Sequence, residues 1–201
     1  MKQHLRIWEI ALLAALCVTF CTGLFAKAEQ NKLSDQLIRF HVIANSDSES
    51  DQAAKLDVRD RVLALLTPKL EGVSSVEEAE SVINSTLPAL CKTAKLSLLS
   101  NGKFYTAKAE LCIEQYPTRT YDGFALPSGD YVSLKIILGE GEGHNWWCVV
   151  FPPLCMTSAE DTDAFSGLTK DSAKLIKYEG GEYKLRFRII EVYEQLKRAL
   201  S

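Results

Sequence analysis

The chain holds only three histidines and has no Cys-x-x-Cys pair, no His-x3–5-His pair, no Gly-Lys-Ser/Thr loop and no Asp-x-Asp-x-Asp-Gly run. These absences exclude the usual zinc, nucleotide and calcium signatures. There is no basic tail, no low-complexity tract and no internal repeat. The acidic residues near position 50 (Asp47, Asp51, Asp57, Asp60) fit helix capping and a solvated face better than a calcium loop. No cofactor or metal is expected. A net charge of −3 gives no electrostatic reason to seek nucleic acid.

The first 28 residues stand apart. Lys2, His4 and Arg6 precede an apolar run from Ile10 to Ala26, and Ala26-Lys27-Ala28 offers small residues at alternate positions. That is the pattern of a signal peptide. The run is also just long enough for an uncleaved membrane anchor. Leu16 before Cys17 and Phe20 before Cys21 are too bulky for lipid-modified cysteines. Either way, residues 29–201 lie outside the cytoplasm, and any membrane contact is through the N-terminal segment alone. Removing residues 1–28 takes away three positive charges and one negative, leaving 173 residues with a charge of −5. This suffices for one domain with a sizeable core.

Four cysteines remain, Cys91, Cys112, Cys148 and Cys155, and outside the cytoplasm an even number points to disulfides. Of three possible pairings, local geometry favours Cys148 with Cys155. Seven extended steps would span about 23 Å, against roughly 4.4–6.8 Å between bridged Cα atoms, so the chain must double back, and Pro152-Pro153 offers the place. Closing so short a loop stabilises by about 2.5 kcal/mol at most. Cys91 falls near a helix end and Cys112 on the polar face of a strand, which disfavours that pairing.

Hydrophobic periodicity predicts an α+β fold, a single layered domain whose mostly antiparallel sheet carries packed helices. Leu37–Ala44 alternates as a half-buried strand, with Arg39 and His41 on the polar face. Ser46 and Glu49 match a capping box for a helix that Pro68 ends, and Ser75 and Glu78 match a second one. Pro88 should kink or split the second helix, and Asn101-Gly102 should stop it. Strands follow over 105–114, 132–138 and 145–151, with turn residues at Asp122-Gly123 and 127–130. The glycine-alternating run 139–143 is expected to form the hairpin between the last two strands. A polar stretch over 156–181, a strand at 184–188 and a C-terminal helix complete the prediction.

In the segment GEGEGHNWWCVVFPPLC (139–155), adjacent Trp146 and Trp147 point to opposite sheet faces, so both faces need apolar cover, from the fold or from a partner. His144, Asn145 and Cys148 are residue types of a thiol protease. Yet His144 and Cys148 are four apart on an extended chain, about 13 Å, too far for a nucleophile–base pair. No catalytic residue is assigned. His41 to Ser48 leads from a strand end into a helix N-terminus, where ligands often sit, although capping by Asn45 and Ser46 explains it as well. Arg119 lies between Tyr116 and Tyr121, a composition common to interface anchors and to stiffened corners.

Three blocks, IRFHVIANSDSESDQAAKLDVRD (38–60), YPTRTYDGFALPSGDY (116–131) and GEGEGHNWWCVVFPPLC (139–155), make the chain resemble the stage II sporulation protein R family of endospore-forming bacteria. Asp122-Gly123 stands in reverse order to the Gly-Asp expected there. The resemblance implies an exported signalling protein rather than an enzyme. Such a protein is made in the forespore and passes into the space between the forespore and mother-cell membranes. Its partner there is a membrane-embedded aspartic protease, which it activates to process the sigma-E precursor. On physical grounds Trp146, Trp147, Pro152 and Pro153 are the candidate partner-binding anchors, with Arg119 and His41 at the rim. The rival expectation is an exported thiol-dependent hydrolase of peptide or cell-wall material. A third is a scaffold whose tryptophan strand is buried in its own core.

Overall fold

A computed structural model of the chain describes residues 2–121 and 124–154, with Leu168 and Ser172. The predicted elements beyond 155, Cys155 and the Asp122-Gly123 turn lie outside the described residues. Helix α1 spans Lys2–Ser34, and β1 spans Ile38–Ile43. Two helices follow, α2 (Glu49–Leu70) and α3 (Val76–Ser100). The remaining strands are β2 (Ala107–Tyr116), β3 (Arg119–Tyr121), β4 (Phe124–Leu126), β5 (Gly129–Leu138) and β6 (Asn145–Phe151).

Four strands form one sheet in the order β2-β5-β1-β6, and β3 and β4 form a separate small hairpin. β1 is parallel to β5 and antiparallel to β6, and β2 is antiparallel to β5. The fold is thus α+β with a mixed, mostly antiparallel sheet.

The alternation of apolar residues gives the sheet two unlike faces. Phe40, Val42, Leu134, Ile136, Leu138 and Val150 pack with Ala54, Val58, Val62 and Leu66 of α2 and Ile83, Leu90, Ala94 and Leu98 of α3. The other face packs Tyr116, Tyr131 and Val149 with Phe124, Leu126, Leu154, Leu168 and the α1 residue Leu33. The apolar stretch Ile7–Leu24 of α1 is long enough to cross a membrane. The helix does not stop near residue 28: its last turns join the body, where the Gln30 side chain donates to the Ser128 carbonyl and Leu33 is buried.

The expected hairpin between β5 and β6 does not form, because β1 lies between them. Residues 139–144 instead bridge over the end of β1, with Gly143 N–H donating to the Ala44 carbonyl at 2.9 Å and Glu142 N–H to that of Asn45 at 3.3 Å. Glycine is needed at 143 for close approach, since a Cβ there would collide with the Ser46 carbonyl. β1 is also buried on both faces rather than half-buried: Arg39 is 0% and His41 2% exposed, covered by aromatic side chains from distant segments.

The helix signals fare unevenly. Ser75 caps α3 by accepting from Glu78 N–H at 3.2 Å, while Glu78 accepts from Ser74 N–H rather than from that of Ser75. Gly102 adopts φ +69 and Lys103 N–H donates to the Leu98 carbonyl, a left-handed stop as expected. The cap of α2 is Ser48, which accepts from Asp51 N–H, and not Ser46. Pro68 and Pro88 lie inside their helices without ending or splitting them. Both prolines are exposed, so the carbonyls they leave unbonded face water.

Candidate functional site

The adjacent tryptophans diverge as strand geometry requires. Trp146 points toward the helices, edge-on to Phe40 at 5.7 Å between centroids, with the Arg59 guanidinium 4.9 Å from its ring. Trp147 points to the opposite face, 4.6 Å from His41 and 4.9 Å from Tyr116, with the Arg119 guanidinium at 5.3 Å. Each tryptophan is half-buried, so each finds most of its cover within the chain.

The six candidate residues therefore do not form one patch. Arg119 and Pro153 are exposed, while Pro152 is buried after a cis peptide bond with Phe151. His41 is not at a rim, because Trp147 and Tyr116 close over it. Arg119 stacks on Trp147. The arginine that sits among Tyr116, Tyr121 and Tyr131 is Arg39.

The second face carries a polar row that runs from fully buried residues to the part-exposed Lys135 and Glu114. Tyr116 and Ser133 hydroxyls share a hydrogen bond at 2.6 Å, and Tyr131 donates to the Pro127 carbonyl at 2.8 Å. Lys135 Nζ donates to Glu114 Oε1 at 2.6 Å, which raises the lysine pKa. His41 Nε2 lies 3.0 Å from Glu114 Oε2 but is not aligned for a hydrogen bond. Burial lowers the His41 pKa to about 4, with Glu114 opposing that shift, so the ring is neutral at pH 7.

At the other end of β1, Asp51 is a buried carboxylate that ties α2 to the loop after β1 and to the connection between α3 and β2. It accepts from Asn45 Nδ2 at 2.8 Å, Ser46 Oγ at 2.7 Å and Tyr105 OH at 3.0 Å, and pairs with Lys103 Nζ at 2.5 Å. Asn45 Oδ1 in turn accepts from Glu140 N–H in the glycine bridge at 3.1 Å. These donors hold the Asp51 pKa far below the usual carboxylate range. The loop after β1 is thus a structural clasp, and no ligand is needed to explain it. Neither Asp51 nor Arg39 stood out in the sequence; an arginine on a strand with tyrosines 77, 82 and 92 positions later gives no local signal.

A nucleophile–base pair around Cys148 is not assembled. Cys148 is disulfide-bonded, while Cys17, Cys21, Cys91 and Cys112 are free. The His144 ring turns outward onto the Asp47 carboxylate, which also accepts from His144 N–H at 2.6 Å. Among the described residues there is no group of three His, Cys, Asp or Glu side chains placed to hold a metal.

The family model described as stage II sporulation protein R matches residues 34–161. A protein of Bacillus subtilis (strain 168) named Stage II sporulation protein R is 35% identical over 161 residues, which covers 79% of this chain and 72% of that protein. No solved structure matches the chain.

Proposed function

The chain belongs to the stage II sporulation protein R family, and from that premise we propose that it is an exported intercellular signal of sporulation. It acts in the space between forespore and mother cell. There it docks on a membrane-embedded aspartic protease and favours the active state, so that the sigma-E precursor is processed. The family match over residues 34–161 supports this reading. The apolar stretch Ile7–Leu24 supports export, as a signal or as an anchor.

A protein that switches a receptor from 1:99 to 99:1 active needs about 5.5 kcal/mol of differential binding. Half-exposed Trp147 beneath exposed Arg119 is the arrangement best suited to supply part of it, since aromatic and arginine anchors dominate such contacts. Pro153 is the second exposed candidate. Pro152 and His41 support the surface from beneath, and Trp146 is the anchor on the helix face. Cys148 is disulfide-bonded, and Cys155 remains its candidate partner, as the short loop through Pro152-Pro153 suggests.

The test is charge reversal at Arg119, which is exposed and has no ion pair among the described residues. Arg119→Glu and Pro153→Arg, exported at wild-type levels in sporulating cells, should each slow processing of the sigma-E precursor on immunoblots at least tenfold. Full processing by both variants would remove this surface from the reading. A thiol-dependent hydrolase would instead lose its activity with Cys148→Ser while keeping it with Cys155→Ser. A disulfide predicts equal loss from either.

A further inference from the structure

Arg39 is the largest fully buried side chain among the described residues, and it is incompletely paired. Its Nη2 donates to Tyr121 OH at 2.6 Å, but Nε and Nη1 have no acceptor. No carboxylate pairs with it among the described residues. Around the guanidinium stand the rings of Tyr116 at 3.9 Å, Tyr131 at 5.0 Å and Tyr121 at 5.9 Å. Two residues along the same strand face, buried His41 also has both ring nitrogens without a hydrogen bond.

A guanidinium cannot shed its proton, so burial does not neutralise it. Ring faces attract a desolvated cation, but they accept no hydrogen bond from Nε or Nη1 in the guanidinium plane. An uncompensated buried charge is among the costliest features a fold can hold. What would satisfy both the charge and the vacant donors is an oxygen anion.

We propose that Arg39, within its tyrosine box, is the receptor for a small oxyanion, a carboxylate or a phosphate, beyond the docking role argued above. Tyr121 is the one partly exposed member of the box, so entry runs past it, and the incoming anion replaces its hydroxyl as the partner of Nη2. Tyr116 and Tyr131 remain as walls, each held by its own hydrogen bond. The site does not depend on the signalling reading, because it is tested by binding to the purified chain.

The experiment uses the full chain in non-ionic detergent, with sodium acetate, inorganic phosphate or sodium chloride added at matched ionic strength. At about ten times its dissociation constant, a bound anion should raise Tm by about 3–6 °C, and the shift should keep growing with the logarithm of anion concentration. Acetate alone acting identifies a carboxylate site, phosphate alone a phosphate site, and both a general oxyanion site; chloride should do nothing beyond ionic strength. Arg39→Met should show no anion response and, freed of the buried charge, should melt above wild type in anion-free buffer but not in saturating anion. Should that variant fail to fold, the wild-type Arg39 Nε–H resonance decides, since it must shift on titration with the active anion. An Nε–H resonance unmoved by acetate and phosphate, or equal anion responses in wild type and Arg39→Met, would overturn the proposal.

Discussion

Replacing Asp51 by Asn changes one oxygen and almost no volume, so it isolates the charge at the clasp beneath the glycine bridge. The carboxylate is nearly inaccessible, and Lys103 Nζ, 2.5 Å away, keeps about a fifth of its own exposure. Removing one partner of a well-buried pair costs about 3–5 kcal/mol, and partial solvation of Lys103 places this case near the lower end. The new amide also points donors at Asn45 Nδ2 or Ser46 Oγ, where the carboxylate accepted. The expected loss at pH 7 is about 3 kcal/mol, or roughly 1.5 M in the urea midpoint for a slope of about 2 kcal/mol/M. Urea titration followed by tryptophan fluorescence measures it directly. The folded-state pKa is depressed, so the carboxylate's contribution is complete above the unfolded value of about 3.9 and is lost as pH falls through the folded value. Wild type and variant should therefore converge only in strong acid. A difference below about 0.5 kcal/mol at pH 7, or one already closed at pH 5, would refute the clasp.

Two further outcomes follow from the same geometry. His41 is held neutral with a pKa near 4, mainly by burial, so the unfolded state binds more protons between pH 6.5 and 4 and stability falls on acidification through that window, by about 3 kcal/mol at most. His41→Gln should flatten that part of the stability curve, and an unchanged slope would assign it elsewhere. Gly143→Ala drives a Cβ into the Ser46 carbonyl and should cost about 2 kcal/mol by overpacking, read as a lower midpoint in the same urea titration; a neutral result would mean the bridge is free to move.

Local patterns in this sequence hold in part, since the α3 cap stands while Pro68 and Pro88 end or split nothing, and patterns whose meaning depends on a distant segment mislead. Ser75 and Glu78 mark the start of α3 because the contacts lie within four residues. The divergence of Trp146 and Trp147 follows from the two-residue strand period. The glycine run looks the same whether the flanking strands pair with each other or with a third strand between them. That third strand is β1, roughly a hundred residues earlier in the chain. Arg39 and His41 carry the polarity of a solvent face, yet their cover comes from Tyr116, Tyr121, Tyr131 and Trp147. The cap expected at Ser46 fails because Ser48, two residues on, fits the same role and holds it.

The three blocks that carry the family resemblance meet in this fold. β1 from the first block is paired on one side with β6 from the third, and the second block supplies Tyr116, Tyr121 and Tyr131 around Arg39 of the first. Asn45 and Asp51 lock the first block to the glycine bridge of the third. Much of what makes the sequence recognisable is therefore architecture: a central strand buried on both faces, clasped at one end and carrying on its second face a cation with no carboxylate partner among the described residues. Residues whose exposure leaves them free for a partner, such as Arg119 and Pro153, lie at the margins of those blocks. Under the proposed docking, the surface offered to a receptor is one which the clasp and the tyrosine box hold in shape, so loss of signalling in a core variant is informative only when Arg119 and Pro153 variants, with the fold intact, have been measured beside it.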